Sequence, residues 1–235
     1  PQSVLKRLID RTAFAMAQQD VRYYLNGILF ELKSGRLRLV ATDGHRLALC
    51  TASEAVNAGD ASVIVPRKGV LELARLLEGD AEMQLFIGSN HIRAVNEQFT
   101  FTSKLVDGKF PEYERVLPKS ADKTVIGERL ELRQAFTRTA ILSNEKYRGV
   151  RLKLTDGTLD ITANNPEQEQ AEEVVAVDYQ GDELEVGFNV SYLLDVLSVL
   201  AGEKVRLSLS DSASSAMLEE AEEGDSLYVV MPMRL

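Results

Sequence analysis

The sequence predicts an α+β protein built from two repeats of one domain, and three observations carry that prediction. First, the halves resemble each other. Arg11-Thr12-Ala13 recurs as Arg138-Thr139-Ala140. Gly27, Gly35, Leu37 and Ala41 recur at the same spacing as Gly149, Gly157, Leu159 and Ala163, and Leu71, Leu77 and Gly79 recur as Leu194, Leu200 and Gly202. Second, each half runs helix, paired strands, helix, paired strands, an order suited to helices layered on antiparallel sheets. Third, Pro118, Lys119, Ser120 and Asp122 interrupt the pattern. They place a linker at about residues 117–123 and domains at 1–117 and 118–235.

In chain order, the first helix is predicted over residues 3–18, with Ser3 as its N-cap. Leu5, Leu8 or Ile9, Thr12 and Met16 share one face, and Arg7 and Arg11 form an i,i+4 pair on the other. Its repeat, over residues 129–143, buries Leu132, Ala135 or Phe136, and Ala140, leaving Arg133, Gln134 and Arg138 outward. The second helices fall at about 67–77 and 191–200. Between helices lie short alternating strands with Gly turns, residues 27–32 with 36–41 and 149–154 with 158–163.

Composition narrows the function. The 235 residues are 45% hydrophobic, enough for two domains with cores, and the net charge of −9 argues against a bulk nucleic-acid binder. A single Cys, Cys50, excludes an intramolecular disulfide and points to a reducing, cytoplasmic compartment. No apolar run is long enough to span a membrane, and no signal peptide is visible. Asp43 and His45 stand two residues apart, but Gly44 makes that stretch a turn and no nucleophile motif accompanies it, so an acid–base catalyst is set aside. Two His and one Cys, widely spaced, offer no metal site, and no cofactor loop occurs. The acidic run Glu219-Glu220, Glu222-Glu223, Asp225 reads as a solvated hairpin loop.

Two stretches stand out. Leu37-Arg38-Leu39-Val40 alternates as a strand, and Asp43-Gly44 is a tight-turn pair. His45, Arg46 and Leu47 then open the return strand, so the hairpin tip presents an imidazole, a guanidinium and an apolar group together, a mix suited to docking. The chain also ends Tyr228-Val229-Val230-Met231-Pro232-Met233-Arg234-Leu235. Termini ordinarily fray, so an apolar end is either the last strand of a sheet or the lining of a binding site.

Six runs carry a family resemblance: Thr42-Asp43-Gly44-His45-Arg46-Leu47, the tail from Val229, Gln19-Asp20-Val21-Arg22-Tyr23-Tyr24-Leu25-Asn26-Gly27, Val65-Pro66-Arg67-Lys68-Gly69, Leu142-Ser143-Asn144-Glu145-Lys146 and Ala163-Asn164-Asn165-Pro166-Glu167. In this order across the whole chain they resemble the bacterial sliding-clamp family, the beta subunit of DNA polymerase III. The match is to the second and third of that family's three domains; the first has no counterpart in these residues.

The resemblance implies the DNA-clamp fold, with helices lining a ring and sheets outside, and no enzymatic activity. It implies that the polymerase III catalytic subunit, the clamp loader and repair polymerases dock a short motif, roughly Gln-Leu-x-Leu-Phe, where the second and third domains join. Carried over, the peptide-binding residues are Leu25, Thr42, Gly44, His45, Arg46, Leu47, Pro111, Arg115 and Val116, with Asn189, Tyr192, Ala213, Ser215, Val229, Val230, Met231, Pro232, Met233, Arg234 and Leu235. Leu25, Leu47, Val230, Met231, Pro232 and Met233 would form an apolar slot; His45, Arg46, Asn189 and the Leu235 carboxylate would orient the peptide. Residues expected to face double-stranded DNA, encircled by a full-length dimer, are Arg7, Arg11, Gln19, Tyr23, Tyr24, Arg67, Lys68, Lys119, Arg133 and Arg138. The helix over 191–200 has no basic residue. Ring closure joins the third domain of one subunit to the first of another, so this chain is expected to be monomeric, with Ile141 and Leu142 in the unpaired surface. The alternative is a protein-interaction scaffold of repeated domains without a DNA role.

Overall fold

Apolar periodicity builds the same βα layers twice in the computed structural model, which describes all of residues 1–235 as two units, Pro1–Arg115 and Val116–Leu235. The division lies just before the predicted linker. Tyr113 is tied into the first unit, and the first strand of the second begins at Lys123.

The first unit opens with α1 (Gln2–Asp10), followed by a 3-10 turn at Ala13–Ala15 and another at Tyr23–Leu25. Strands β1 (Gly27–Lys33), β2 (Arg36–Thr42), β3 (Arg46–Ala55) and β4 (Ala61–Pro66) follow. Then come α2 (Arg67–Leu76) and a separate antiparallel sheet of β5 (Gln84–Ile87), β6 (His91–Val95) and β7 (Thr100–Lys104). β1 pairs antiparallel with β2 and β4, and β2 with β3. Leu8, Ile9, Ile28, Phe30, Leu39 and Leu73 are almost wholly buried between helices and sheet. Each such side chain contributes roughly 1.5–3 kcal/mol on leaving water.

The second unit repeats the plan. β8 (Lys123–Glu128) leads into α3 (Arg129–Ala140), then β9 (Gly149–Thr155), β10 (Thr158–Asn164), β11 (Gln170–Ala176) and β12 (Leu184–Asn189). α4 (Val190–Val199), β13 (Lys204–Leu209), β14 (Ala216–Glu220) and β15 (Ser226–Val230) complete it. One sheet is ordered β11-β10-β9-β12, and in the other β13 pairs with β8 and β14, and β14 with β15. Leu152, Leu154, Phe188 and Tyr228 anchor its core. The repeat extends to single bonds. Arg67 N donates to Asn26 O at 2.9 Å as Val190 N donates to Arg148 O at 2.8 Å, and Gly35 and Gly157 turn the two hairpins at φ 73° and 74°.

Four sequence expectations are corrected. The first helix stops at Asp10 rather than residue 18, because Thr12 turns its hydroxyl back onto Leu8 O (2.7 Å) and its amide makes the tighter bond to Ile9 O. Ser3 does not cap that helix; Pro1 occupies the N-cap without a side-chain bond. α3 ends at Ala140, where Thr139 repeats the back-bond to Ala135 O, and residues 141–143 continue only as i→i−3 turns. Arg7 is also less outward than expected, its guanidinium 3.9 Å from Glu54.

A partly buried polar chain fixes the segment after β7. Tyr113 donates its hydroxyl to Glu31 Oε2 (2.7 Å) and accepts from Arg38 Nη1 (3.0 Å), while Arg38 Nε donates to Thr51 Oγ1 (3.1 Å). Burial, reinforced by the Glu31 carboxylate, pushes the Tyr113 phenol up to about 12. A folded-state value above the unfolded one contributes stability below pH about 10 that is lost as pH rises through 12. The thermal midpoint of the first unit is therefore expected to fall between pH about 10 and 12, and Tyr113→Phe should flatten that fall. Parallel slopes for the two proteins in a melting series would refute the assignment.

Candidate functional site

In the first unit the hairpin tip is wired from within. Thr42 Oγ1 donates to Arg46 O (2.6 Å) and accepts from Gly44 N (3.1 Å); Asp43 Oδ1 accepts from the amides of His45 (2.8 Å) and Arg46 (3.0 Å). Gly44 has φ 89°, a conformation other residues adopt only with strain. β3 begins at Arg46, so His45 lies in the turn and not in the return strand, and its imidazole is exposed.

Arg46 departs from the expectation of a presented guanidinium. It pairs with Asp43 Oδ2 at 3.1 Å, donates to Phe14 O at 2.9 Å and lies 5.4 Å from the Phe14 ring centroid, with 14% of its side chain exposed. It braces the tip rather than offering a free charge. Leu25, Thr42 and Leu47 are buried. Arg22 fixes the preceding loop, paired with Asp20 (2.9 Å) and donating to Asp43 O (3.4 Å); that pairing holds the Asp20 carboxyl down at about 2. Pro111, Arg115 and Val116 are exposed, with Arg115 paired to Glu112.

In the second unit the C-terminal tail is seated, not frayed. Met233 N donates to Gly187 O (2.9 Å), extending the open edge of β12 by one bridge. Two glycines make room for it. A Cβ at Gly187 would come within 2.6 Å of Met233 O and 2.7 Å of Leu235 Cγ, and one at Gly149 within 2.5 Å of Leu235 Cδ2. The tail borders an open recess of about 580 Å³ that Arg151, Glu185, Ser212 and Ala213 also line, Arg151 being paired with Glu185. Met231 and Leu235 remain half exposed, whereas Val229 and Val230 are buried in β15. Asn189 Oδ1 accepts from Ser191 N at 2.9 Å and caps α4, which fixes its side chain at the start of that helix. Tyr192 and Ser215 are half-buried. The residues that sequence reasoning missed are Gly149, Gly187 and Arg151. A glycine inside a strand signals close backbone approach, and that signal was present at both glycines.

The cations expected to face DNA differ in availability. Arg138 is bound to Glu173 by two contacts, at 2.6 and 3.0 Å, which holds the Glu173 carboxyl below its usual range. Lys68, Lys119 and Arg133 are exposed without an ion pair, while Arg67 is half-buried at the start of α2. Arg7 and Arg11 are half-buried, Gln19 and Tyr23 are exposed, and Tyr23 meets Tyr24 edge-on at 5.9 Å between centroids.

Residues 1–112 match the family described as DNA polymerase III beta subunit, central domain, and residues 114–234 its C-terminal domain. The chain belongs to the DNA polymerase III beta subunit family. It is similar to the beta sliding clamp of Pseudomonas aeruginosa, at 66% identity over all of this chain and 64% of that protein, and to that of Escherichia coli K12, at 59% over the same shares. It thus spans about 64% of the length of these curated relatives. A solved P. aeruginosa sliding clamp superposes with a TM-score of 0.98 at 66% identity, covering all of this chain and 64% of that one. A Bartonella birtlesii sliding clamp bound to griselimycin gives 0.94 at 40% identity, covering all of this chain and 65% of that one. The fold is accordingly the α+β clamp fold. No helix of the chain is long and apolar enough to cross a membrane.

Gly187→Ala is expected to dislodge the tail, since the added methyl occupies the space of Met233 O. Its cost should be about 1–3 kcal/mol in urea unfolding, the usual penalty of overpacking. The Met233 amide should lose protection from hydrogen exchange while β9 keeps its own; an unchanged Met233 amide would show that the tail does not need this glycine.

Proposed function

We propose that this chain is the partner-binding portion of a non-enzymatic processivity clamp of the bacterial cytoplasm. It binds short Gln-Leu-x-Leu-Phe-like motifs of replicative and repair polymerases and of the clamp loader, while the full-length protein encircles duplex DNA as a dimer. The observation that supports this reading most directly is the seated apolar tail. Met231 is held half exposed next to a backbone fixed at Met233, where a flexible end would otherwise lose ordering entropy on binding. Methionine adapts to differing partners, as a hub requires. The griselimycin-bound relatives support the presence of a ligand-binding surface in proteins of this sequence class.

On this reading Met231, Pro232 and Met233 supply apolar contacts, His45 supplies an exposed polar one at the hairpin tip, and Arg46 and Asn189 act by holding their own elements in shape. Two apolar anchors yield roughly 1.5–3 kcal/mol each, and ordering a short peptide offsets several kcal/mol of the total. Backbone hydrogen bonds bring the sum to about −8 kcal/mol, a micromolar Kd.

Fluorescence polarisation of a labelled Gln-Leu-x-Leu-Phe peptide tests this. Micromolar binding is expected for the intact chain, with a loss of about tenfold or more for a chain ending at Pro232 and a smaller loss for His45→Ala. Griselimycin should compete with the label. Equal binding by the intact and shortened chains would overturn the assignment of the tail. In sedimentation the 235-residue chain is expected to run as a monomer; a stable dimer would contradict the proposed head-to-tail closure. The scaffold alternative predicts no salt-sensitive protection of Lys68, Lys119 and Arg133 by duplex DNA; the clamp reading predicts weak protection lost at high salt.

A further inference from the structure

The small sheet of the first unit carries charge of one sign on its solvent side. Side chains alternate along its strands. Ile92 and Ala94 are each 1% exposed, whereas Phe86, His91, Arg93, Thr102 and Lys104 are exposed. The register gathers the exposed set: Phe86 stands opposite Arg93, Arg93 opposite Thr102, and His91 opposite Lys104. The Arg93 guanidinium lies over the Phe86 ring, 4.9 Å from its centroid, and the ring is still 46% exposed. His91 Nδ1 is 2.8 Å from Asn90 Oδ1. β5, β6 and β7 contain no Asp or Glu, and neither Arg93 nor Lys104 has an ion pair. The carboxylates nearest in sequence, Glu82 and Glu97, lie in the flanking segments.

The fold does not demand this arrangement. The hairpin β13–β14 follows α4 as β5–β6 follows α2, and there Arg206 stands opposite Glu219, so unlike charges face each other. Directly facing residues of a sheet lie about 5 Å apart, close enough for unlike charges to attract and like ones to repel. β6 and β7 forgo that compensation. Such a face attracts anions even on a chain of net charge −9, because the local field governs contact.

We infer that the open face of β5, β6 and β7 binds a short run of single-stranded nucleic acid, with Phe86 stacking on a base and Arg93, Lys104 and His91 contacting phosphates. The exposed ring decides the occupant. In a duplex the base faces are covered by one another and are closed to Phe86. An acidic peptide would engage the cations but leave the ring without a stacking partner. A single strand offers unstacked bases and phosphates together. Arg93 extends the platform, since a guanidinium plane also stacks. Two fully charged side chains give a shallow logarithmic salt slope of about −1.4, so the complex is weak and exchangeable.

The test is a residue-resolved titration. A single-stranded oligothymidylate of about twelve nucleotides is added to the whole chain at low salt, and backbone amide NMR shifts are followed. Shifts are expected in residues 84–87, 91–95 and 100–104. Phe86→Leu, which keeps apolar bulk without an aromatic face, should weaken the affinity read at these amides about fivefold or more. Arg93→Gln combined with Lys104→Gln should weaken it likewise and flatten its salt slope by about 1.4. The unsubstituted chain decides the matter by itself: a titration that leaves these strands unshifted would overturn the inference. A duplex of the same length shifting these amides as strongly would reduce the face to plain phosphate attraction and also overturn it. So would an oligoglutamate that displaces the strand while Phe86→Leu has no effect, which would assign the face to an acidic protein segment.

Discussion

Apolar sheet surface left in water is costly, and the structure depends on covering it. Helices cover most of that surface. Leu8 and Ile9 of α1 with Val70 and Leu73 of α2 serve the first unit, and Leu132 and Phe136 of α3 with Leu193 and Leu197 of α4 serve the second. Because this constraint is met twice by the same device, the repeat survives in details that no packing argument needs, such as the back-bonding of Thr12 and Thr139 onto the preceding turn. Where helices do not reach, other elements take over. Tyr113 pins the segment after β7 across β1 and β2, and the tail closes the outer edge of β12.

The same economy shapes the candidate binding surfaces. A turn as tight as Thr42–Arg46 must satisfy its own amides, and Asp43 and Thr42 do so. Once Asp43 holds two amides, its second oxygen and Phe14 claim the Arg46 guanidinium. What remains for a ligand is His45 and the shape of the tip. In the tail, backbone pairing at Met233 and the space over Gly187 and Gly149 fix the chain, and Met231 is left outward. In each case the residues that build the surface differ from those that can touch a partner.

The sequence disclosed the repeat, the helix faces and the hairpins, because these follow from local periodicity and from glycine turns at Gly35 and Gly157. Family resemblance singled out the hairpin tip and the tail as candidate binding stretches. It did not disclose that Arg46 and Asn189 are committed to the fold, because their partners, Phe14 O and the start of α4, are defined only by backbone geometry. Nor did it show where the first helix stops. Apolar spacing continues through Met16, but the Thr12 hydroxyl competes for the helix carbonyls, and the chain turns toward Leu25, whose carbonyl accepts the Ala17 amide.

The charge distribution bears on the proposed clamp role. A net charge of −9 disfavours tight binding to a polyanion, and the fold lowers the available positive charge further by pairing Arg138 with Glu173 in a bidentate contact. Of the cations considered, Lys68, Lys119 and Arg133 are exposed and unpaired. Each phosphate neutralised contributes roughly one unit of logarithmic salt dependence, so three contacts give a shallow slope and a weak complex. A protein that holds DNA by encircling it requires no more than that, since strong phosphate binding would oppose sliding. In the proposed role the unpaired cations would centre the duplex without arresting it, and affinity would be reserved for the surfaces proposed to take partner peptides.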